Sequence, residues 1–237
     1  MLSVVYIYCQ CCGDRSGAGL LNFWAVETVP LNVPQVLSRS FQLLLQHPVG
    51  VLWVLVQALL VSFFTLGIYT GPMQVGLFSV LLRYVRTGEW VPGELWGKMT
   101  SHNLPAGIVF VAMQVAVLLI GVPISNASPL VATLFTFVAA TAITLLWFYT
   151  FQILSDHDKP WTLAMREGWH LMGRGNWGAH ILLIVVINLL NLIPTDRVGP
   201  LFQIVILLIL NGFATLAQTV AYSRLEPEHL ADRPSST

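Results

Sequence analysis

An all-α membrane helix bundle is the fold class that three observations predict. Of 237 residues, 56% are hydrophobic and only 9% are Asp, Glu, Lys or Arg, against roughly 25% charged in an average soluble domain. The charges are clustered, and the apolar gaps between them suit helices of about 20 residues, the length that crosses ~30 Å of hydrocarbon. Basic residues then fall on alternate loops, as retention of Lys and Arg on the cytoplasmic side requires. An ordinary soluble domain is excluded. Eleven basic and eleven acidic residues cancel, which points away from nucleic acid and polyanionic substrates.

The gaps give the elements in order. Residues 1–32 read as a poorly ordered tail, or as an over-extended start with initiation near Val26. No basic region precedes its short apolar start, so a signal peptide is not expected. Cys9, Cys11 and Cys12 lack a fourth ligand, so no metal site is predicted. Residues 33–225 read as a single membrane domain with six spans, at about 48–70, 72–88, 104–121, 129–154, 175–195 and 199–223. The stretch Gly121–Pro129 is expected to supply the turn between the third and fourth. Residues 226–237 form a polar tail.

The second span is the short one, because its uncharged part ends at Leu82 after about 16 residues, a rise of only ~24 Å. Either Arg83 and Arg86 snorkel to headgroups at its end, or the segment is re-entrant and packed against its neighbours. With a cytoplasmic N-terminus, the inner segments hold Arg15, Arg39, Arg83, Arg86, Lys98, Lys159, Arg166, Arg174, Arg224 and Arg233, and the outer turns hold Arg197 alone. Both termini are therefore expected inside.

Two stretches between spans have helical periodicity with a polar face. In the first, Val33, Val36, Leu37, Phe41, Leu44 and Leu45 oppose Gln35, Ser38, Arg39, Gln42 and Gln46. In the second, Trp161, Ala164, Met165, Trp169 and Met172 oppose Thr162, Arg166, His170 and Arg174. Pro160 suits its first turn, with Asp156 and Asp158 near its positive end. Both should lie in the membrane interface. A weaker relative is Pro92–His102. Each clear interfacial helix leads into a span that ends at a Gly-Pro pair, Gly71-Pro72 or Gly199-Pro200, 128 residues apart. At that offset Ser40–Leu43 falls on Gly168–Leu171 and Gly50 on Gly178, which suggests a parallel internal duplication.

Reactive chemistry is sparse. Apart from Arg83 and Arg86, no Asp, Glu, Lys or Arg falls inside a span, which argues against proton-driven pumping. His180 is the one titratable group well inside a span. It is the candidate cofactor ligand, set against a simple hydrogen bond to Asn176 one turn earlier or to a neighbouring helix. Gln57, Gln74, Gln114, Gln152, Asn188, Asn191, Gln203, Asn211 and Gln218 are either a polar path or interhelical glue, worth ~0.6 kcal/mol per bond. No G-x-S-x-G, H-E-x-x-H or phosphate-binding glycine loop occurs. Arg83, Arg86, Arg166, His170 and Arg174 are the candidate contacts for anionic headgroups or a partner protein.

Gly71-Pro72 with Gly76, the run Arg83-Tyr84-Val85-Arg86-Thr87-Gly88, Leu95-Trp96, and later Leu154-Ser155-Asp156, Pro160-Trp161, Ala164, Gly168 and Gly175-Asn176-Trp177 carry a resemblance. Over about residues 33–225 the chain resembles the YciC-like, uncharacterised bacterial six-helix integral membrane families. It is also similar to the membrane domain that precedes some glycerophosphodiester phosphodiesterases. The resemblance implies a six-helix bacterial inner-membrane protein without a known activity and carries over no catalytic residue. The expected function is non-enzymatic, without cofactor or metal: an accessory or scaffold subunit of a membrane assembly, or an envelope-homeostasis factor. Its partners would be the lipid bilayer and other membrane subunits. The alternative is a transporter or channel for a small or lipidic solute.

Overall fold

A computed structural model describes residues 31–98, 100–157, 159–190 and 199–226. The cysteine-bearing tail, Met99, Asp158, the 191–198 connection with Asn191 and Arg197, and residues 227–237 lie outside the described residues. Among the described residues every element is helical: α1 (Val33–Gln46), α2 (Pro48–Phe64), α3 (Thr70–Thr87), α4 (Glu94–Gly97), α5 (Leu104–Ala127), α6 (Pro129–Trp147), α7 (Thr150–Asp156), α8 (Trp161–Arg174), α9 (Trp177–Leu190) and α10 (Pro200–Leu225), with a short 3-10 turn at Ser101–Asn103. Among the described residues three stretches are long and apolar enough to cross a membrane: Ser101–Ala127, Pro129–Asp156 and Phe202–Leu225. The pairs α1–α2 and α8–α9 reach that length only as units bent by 93° and 107°.

Local chemistry sets both bends. Asn32 Oδ1 accepts from the Gln35 N–H at 3.2 Å and opens α1. The helix stops at His47 because a residue before proline is pushed out of the α region, and His47 takes φ −136°, ψ 56°. At the second bend Asn176 adopts φ 72°, a left-handed conformation that Asn tolerates. Its Oδ1 accepts from the Gly178 N–H at 2.9 Å. Helices α1 and α8 are both 14 residues long. Each apolar face is divided: Val36 and Leu43 of α1 are buried, as are Ala164 and Leu171 of α8, whereas Phe41, Leu45, Leu163 and Trp169 are exposed.

Helices α2 and α3 form a hairpin whose turn is closed on itself. The N–H groups of Thr65, Leu66, Gly67, Ile68 and Thr70 bond carbonyls between Val61 and Gly67, and that of Tyr69 bonds Thr65 Oγ1. Gly67 supplies the φ of 84° that the turn needs. Its side chains are apolar and open, with Phe63, Phe64 and Leu66 at 75–88% exposure. The turn therefore combines a satisfied backbone with a greasy tip.

Helix α3 runs through the core, with Met73, Val75, Val80 and Leu81 fully buried. The segment after it runs back along its length. Glu94 bonds Ser79, the Leu95 carbonyl abuts Gly76, and the Asn103 carbonyl abuts Gly71. Helix α5 consequently begins beside the start of α3, with Gly71 and Gly107 in backbone contact. Two antiparallel spans would hold those starts ~30 Å apart, on opposite faces.

The turn expected within Gly121–Pro129 narrows to Ser128 at the far end of that stretch. Helix α5 continues through Gly121 and Pro123 to Ala127, and Ser128 alone joins it to α6. Pro123 fits because a proline near a helix end removes only one late backbone bond, while Ser128 Oγ accepts from the Val131 N–H at 3.5 Å to start α6. The two helices leave the bundle as an arm. In α5 only Ala106 and Gly107 are buried, and the base is fixed by Phe110, Trp147 and Phe151, whose ring centroids lie 5.3–5.7 Å apart.

The glycine contact yields a test. A Cβ on Gly71 would collide with the Asn103 carbonyl and come 2.6 Å from Gly107 N, whereas one on Gly97 meets nothing within 4 Å. Gly71→Ala should destabilise by about 1–3 kcal/mol or more, the usual range for overpacking, and lower the thermal midpoint in mild detergent. Gly97→Ala should leave that midpoint in place.

Candidate functional site

Helices α3, α7 and α10 finish together at one end of the bundle, where their last turns hold its most enclosed charges. Arg86 Nη1 and Nη2 donate to Asp156 Oδ1 and Oδ2 at 2.9 and 2.8 Å. Nη2 also donates to the Glu226 carbonyl at 3.1 Å. Tyr222 OH donates to Asp156 Oδ2 at 3.3 Å, and the guanidinium lies 5.7 Å over the Tyr222 ring. With side chains only 8% and 11% exposed, this is a bidentate pair held largely out of water. Such pairs need the extra hydrogen bonds seen here to offset desolvation. Arg86 therefore does not snorkel outward, and its headgroup contact is replaced by Asp156. Asp156 in turn serves Arg86 instead of the start of α8.

Arg83, one turn earlier on α3, is 41% exposed and faces the returning segment. Its Nε and Nη2 donate to Glu89 at 3.2 and 2.8 Å, and its Nη1 to Glu94 at 2.6 Å. Arg83, Arg86, Glu94, Lys98 and Asp156 line an open cavity of about 360 Å³. A second cavity, about 290 Å³, is lined by His170, Arg174, Lys159, Glu167 and Glu226. Lys159 is paired there with Glu167 at 2.8 Å. Arg166 is exposed and does not line either of these cavities. The five predicted contact residues are thus divided among an internal pair, an open cluster and the surface of α8.

His180 is fully buried. Its Nδ1 lies 3.0 Å from the Asn176 carbonyl and its Nε2 2.7 Å from Tyr149 OH. A carbonyl only accepts, so Nδ1 carries the proton and Nε2 accepts from the tyrosine. Both ring nitrogens are consumed, which leaves no lone pair for a metal or tetrapyrrole in this arrangement. Among the described residues no three His, Cys, Asp or Glu side chains gather at metal-binding distance.

Four of the polar residues picked out from the spans converge elsewhere. Gln74 of α3, Asn188 of α9, and Asn211 and Gln218 of α10 line one crevice of about 200 Å³, with Thr144, Thr215 and an aromatic wall that includes Trp147. Asn188 Nδ2 donates to Thr141 Oγ1 at 3.1 Å and Asn211 Nδ2 to the Leu207 carbonyl at 2.8 Å. Gln74 and Gln218 have no hydrogen-bond partner among the described residues. Comparison with protein-family models, curated proteins and solved structures finds no match. The crevice and the charged end must therefore be interpreted from their own geometry.

Tyr149, Tyr222, Glu89, Glu94 and the pairing role of Asp156 were not marked by the sequence. The available signal was charge balance: two arginines, Arg83 and Arg86, end an otherwise uncharged α3 and Asp156 alone ends α7, where buried charges need counter-ions. Removing one partner of a buried pair costs about 3–5 kcal/mol. Arg86→Met should therefore lower the detergent thermal midpoint strongly, and the double variant Arg86→Met with Asp156→Leu should recover most of it.

Proposed function

We propose that the chain is a bacterial inner-membrane protein of the YciC-like kind, with both termini cytoplasmic, that works by association instead of catalysis. It would serve as an accessory or scaffold subunit of a membrane assembly, or in envelope homeostasis. The observation that carries this reading is the α5–α6 arm. It leaves the bundle almost wholly uncovered, and the Gln114 carboxamide partway along it has no hydrogen-bond partner among the described residues. An amide in hydrocarbon seeks a partner, and interhelical amide bonds are the recognised glue between membrane helices. Exposed Arg166, His170 and Arg174 add a basic surface for anionic headgroups or a partner. A photoreactive residue at Leu118 or Leu134 should crosslink in membranes to a distinct membrane protein, and Gln114→Leu should weaken that product several-fold. Lipid adducts alone, with a lone monomer in mild detergent, would overturn the reading.

Six helices embed in this proposal, but they need not all cross. The self-closed apolar turn at Thr65–Thr70 and the contact of Gly71 with the start of α5 favour α2–α3 as a re-entrant hairpin, the second of the two alternatives for that segment. Either form returns the chain to its starting side, so the inner placement of ten basic residues is unaffected. A duplication is supported by α1 and α8, which start 128 residues apart at Val33 and Trp161 and end 128 apart at Gln46 and Arg174. In a background with the three cysteines replaced by serine, Leu66→Cys should resist an impermeant maleimide from both sides, while Ser125→Cys reacts from outside. Labelling of Leu66→Cys from outside would instead make α2 and α3 full spans.

Passage of a small or lipidic solute is the second reading, favoured by the convergence of uncharged polar side chains on the crevice between α3, α9 and α10.

A further inference from the structure

The geometry points to the crevice between α3, α6, α9 and α10 as a binding site for an uncharged amphiphile whose head carries hydroxyl or ester groups, such as a diacylglycerol. This rests on the membrane setting and on the crevice of the second reading, but it claims binding, not flux.

Three features select the ligand class. First, the lining contains amides, hydroxyls and aromatic rings and no charged side chain. An ion placed there would be desolvated without a counter-charge, which is strongly unfavourable, so the head is neutral. Second, the unmet hydrogen-bonding capacity is of both kinds. The Gln74 and Gln218 carboxamides each offer two N–H donors and a carbonyl acceptor, with no partner among the described residues. Asn188 and Asn211 spend an N–H on Thr141 and Leu207 and retain their oxygens. A hydroxyl, which donates and accepts, matches this set better than a hydrocarbon or a pure acceptor. Third, the crevice holds about 200 Å³, which is room for a small head such as glycerol between the facing amides.

The face of α10 supplies the tail's path. Ile204, Asn211, Thr215 and Gln218 recur at helical spacing, so they share one stripe. Asn211 stands at the exposed mouth and Gln218 further in. Toward the start of α10 the stripe turns apolar, with Ile204 at 55% exposure. A ligand entering sideways would seat its polar head between Gln74 and Gln218 and leave its chain along the outer half of α10.

The test uses the full chain in a maltoside detergent and native mass spectrometry with dioleoylglycerol as probe. One bound molecule per chain is expected, undisplaced by an equal concentration of dioleoylphosphatidylglycerol. Gln218→Met, which keeps the side-chain length, and Gln74→Leu should each weaken binding about tenfold or more. Gln203→Leu, on the same helix but outside the crevice, should bind as the parent does. If Gln218→Met fails to fold, Thr215→Val takes its place, with a several-fold loss expected. Absence of the adduct, undiminished binding by the crevice variants, or displacement by the anionic lipid would overturn the site. A lipid-transfer assay in phosphatidylcholine vesicles separates the two claims: binding without transfer retains the site and discards passage.

Discussion

The ion pair between Arg86 and Asp156 is the contact on which the packing at one end of the bundle depends. It joins α3 to α7 directly and reaches α10 through Tyr222 and the Glu226 carbonyl, so three helices from distant parts of the chain finish in one network. A buried pair is a modest source of net stability but a strict one, since either charge alone is costly. Its effect is to fix register. Helix α3 cannot slide against α7 without parting a two-pronged bond, and the returning segment, anchored to Arg83 one turn away, is held in the same frame.

That frame explains why small residues line α3. With Glu94 tied to Ser79 and Arg83, the chain must travel back along α3 toward its start, and it can lie close only where no side chain intervenes. Gly76 and Gly71 provide those places, and Gly107 provides the matching one on α5. The resulting crossing brings α5 to the base of the aromatic cluster at Phe110, Trp147 and Phe151 and sends the α5–α6 arm away from the body.

The helical class and most element positions were legible in the sequence because charge gaps report directly on apolar helices. Both amphipathic helices, α1 and α8, were legible through their periodicity. The turn between α5 and α6 was expected too long because Gly121, Pro123 and Pro129 look like turn residues individually, whereas a proline near a helix end can stay inside it. The depth of α3 was left open, since length and hydropathy cannot tell a crossing helix from one that turns back; the self-closed turn at Thr65–Thr70 and the meeting of Gly71 with Gly107 bear on that. The polar residues of the spans were visible as a set, but which of them met, and that Gln74 and Gln218 stayed unpaired while His180 did not, depended on packing across helices far apart in sequence.

The arm has one more property, which follows from its length. At ~1.5 Å per residue the 24 residues of α5 measure about 36 Å, several ångströms more than the ~30 Å hydrocarbon thickness of a typical bilayer. A helix too long for its bilayer leans, or draws the lipid around it thicker, at a modest cost per ångström. Because the outer part of the arm is uncovered, leaning is open to it in a way that is closed to α3. Membrane thickness would thus set the angle of α5 and α6 to the rest of the molecule, and with it the surface that the arm offers to its neighbours.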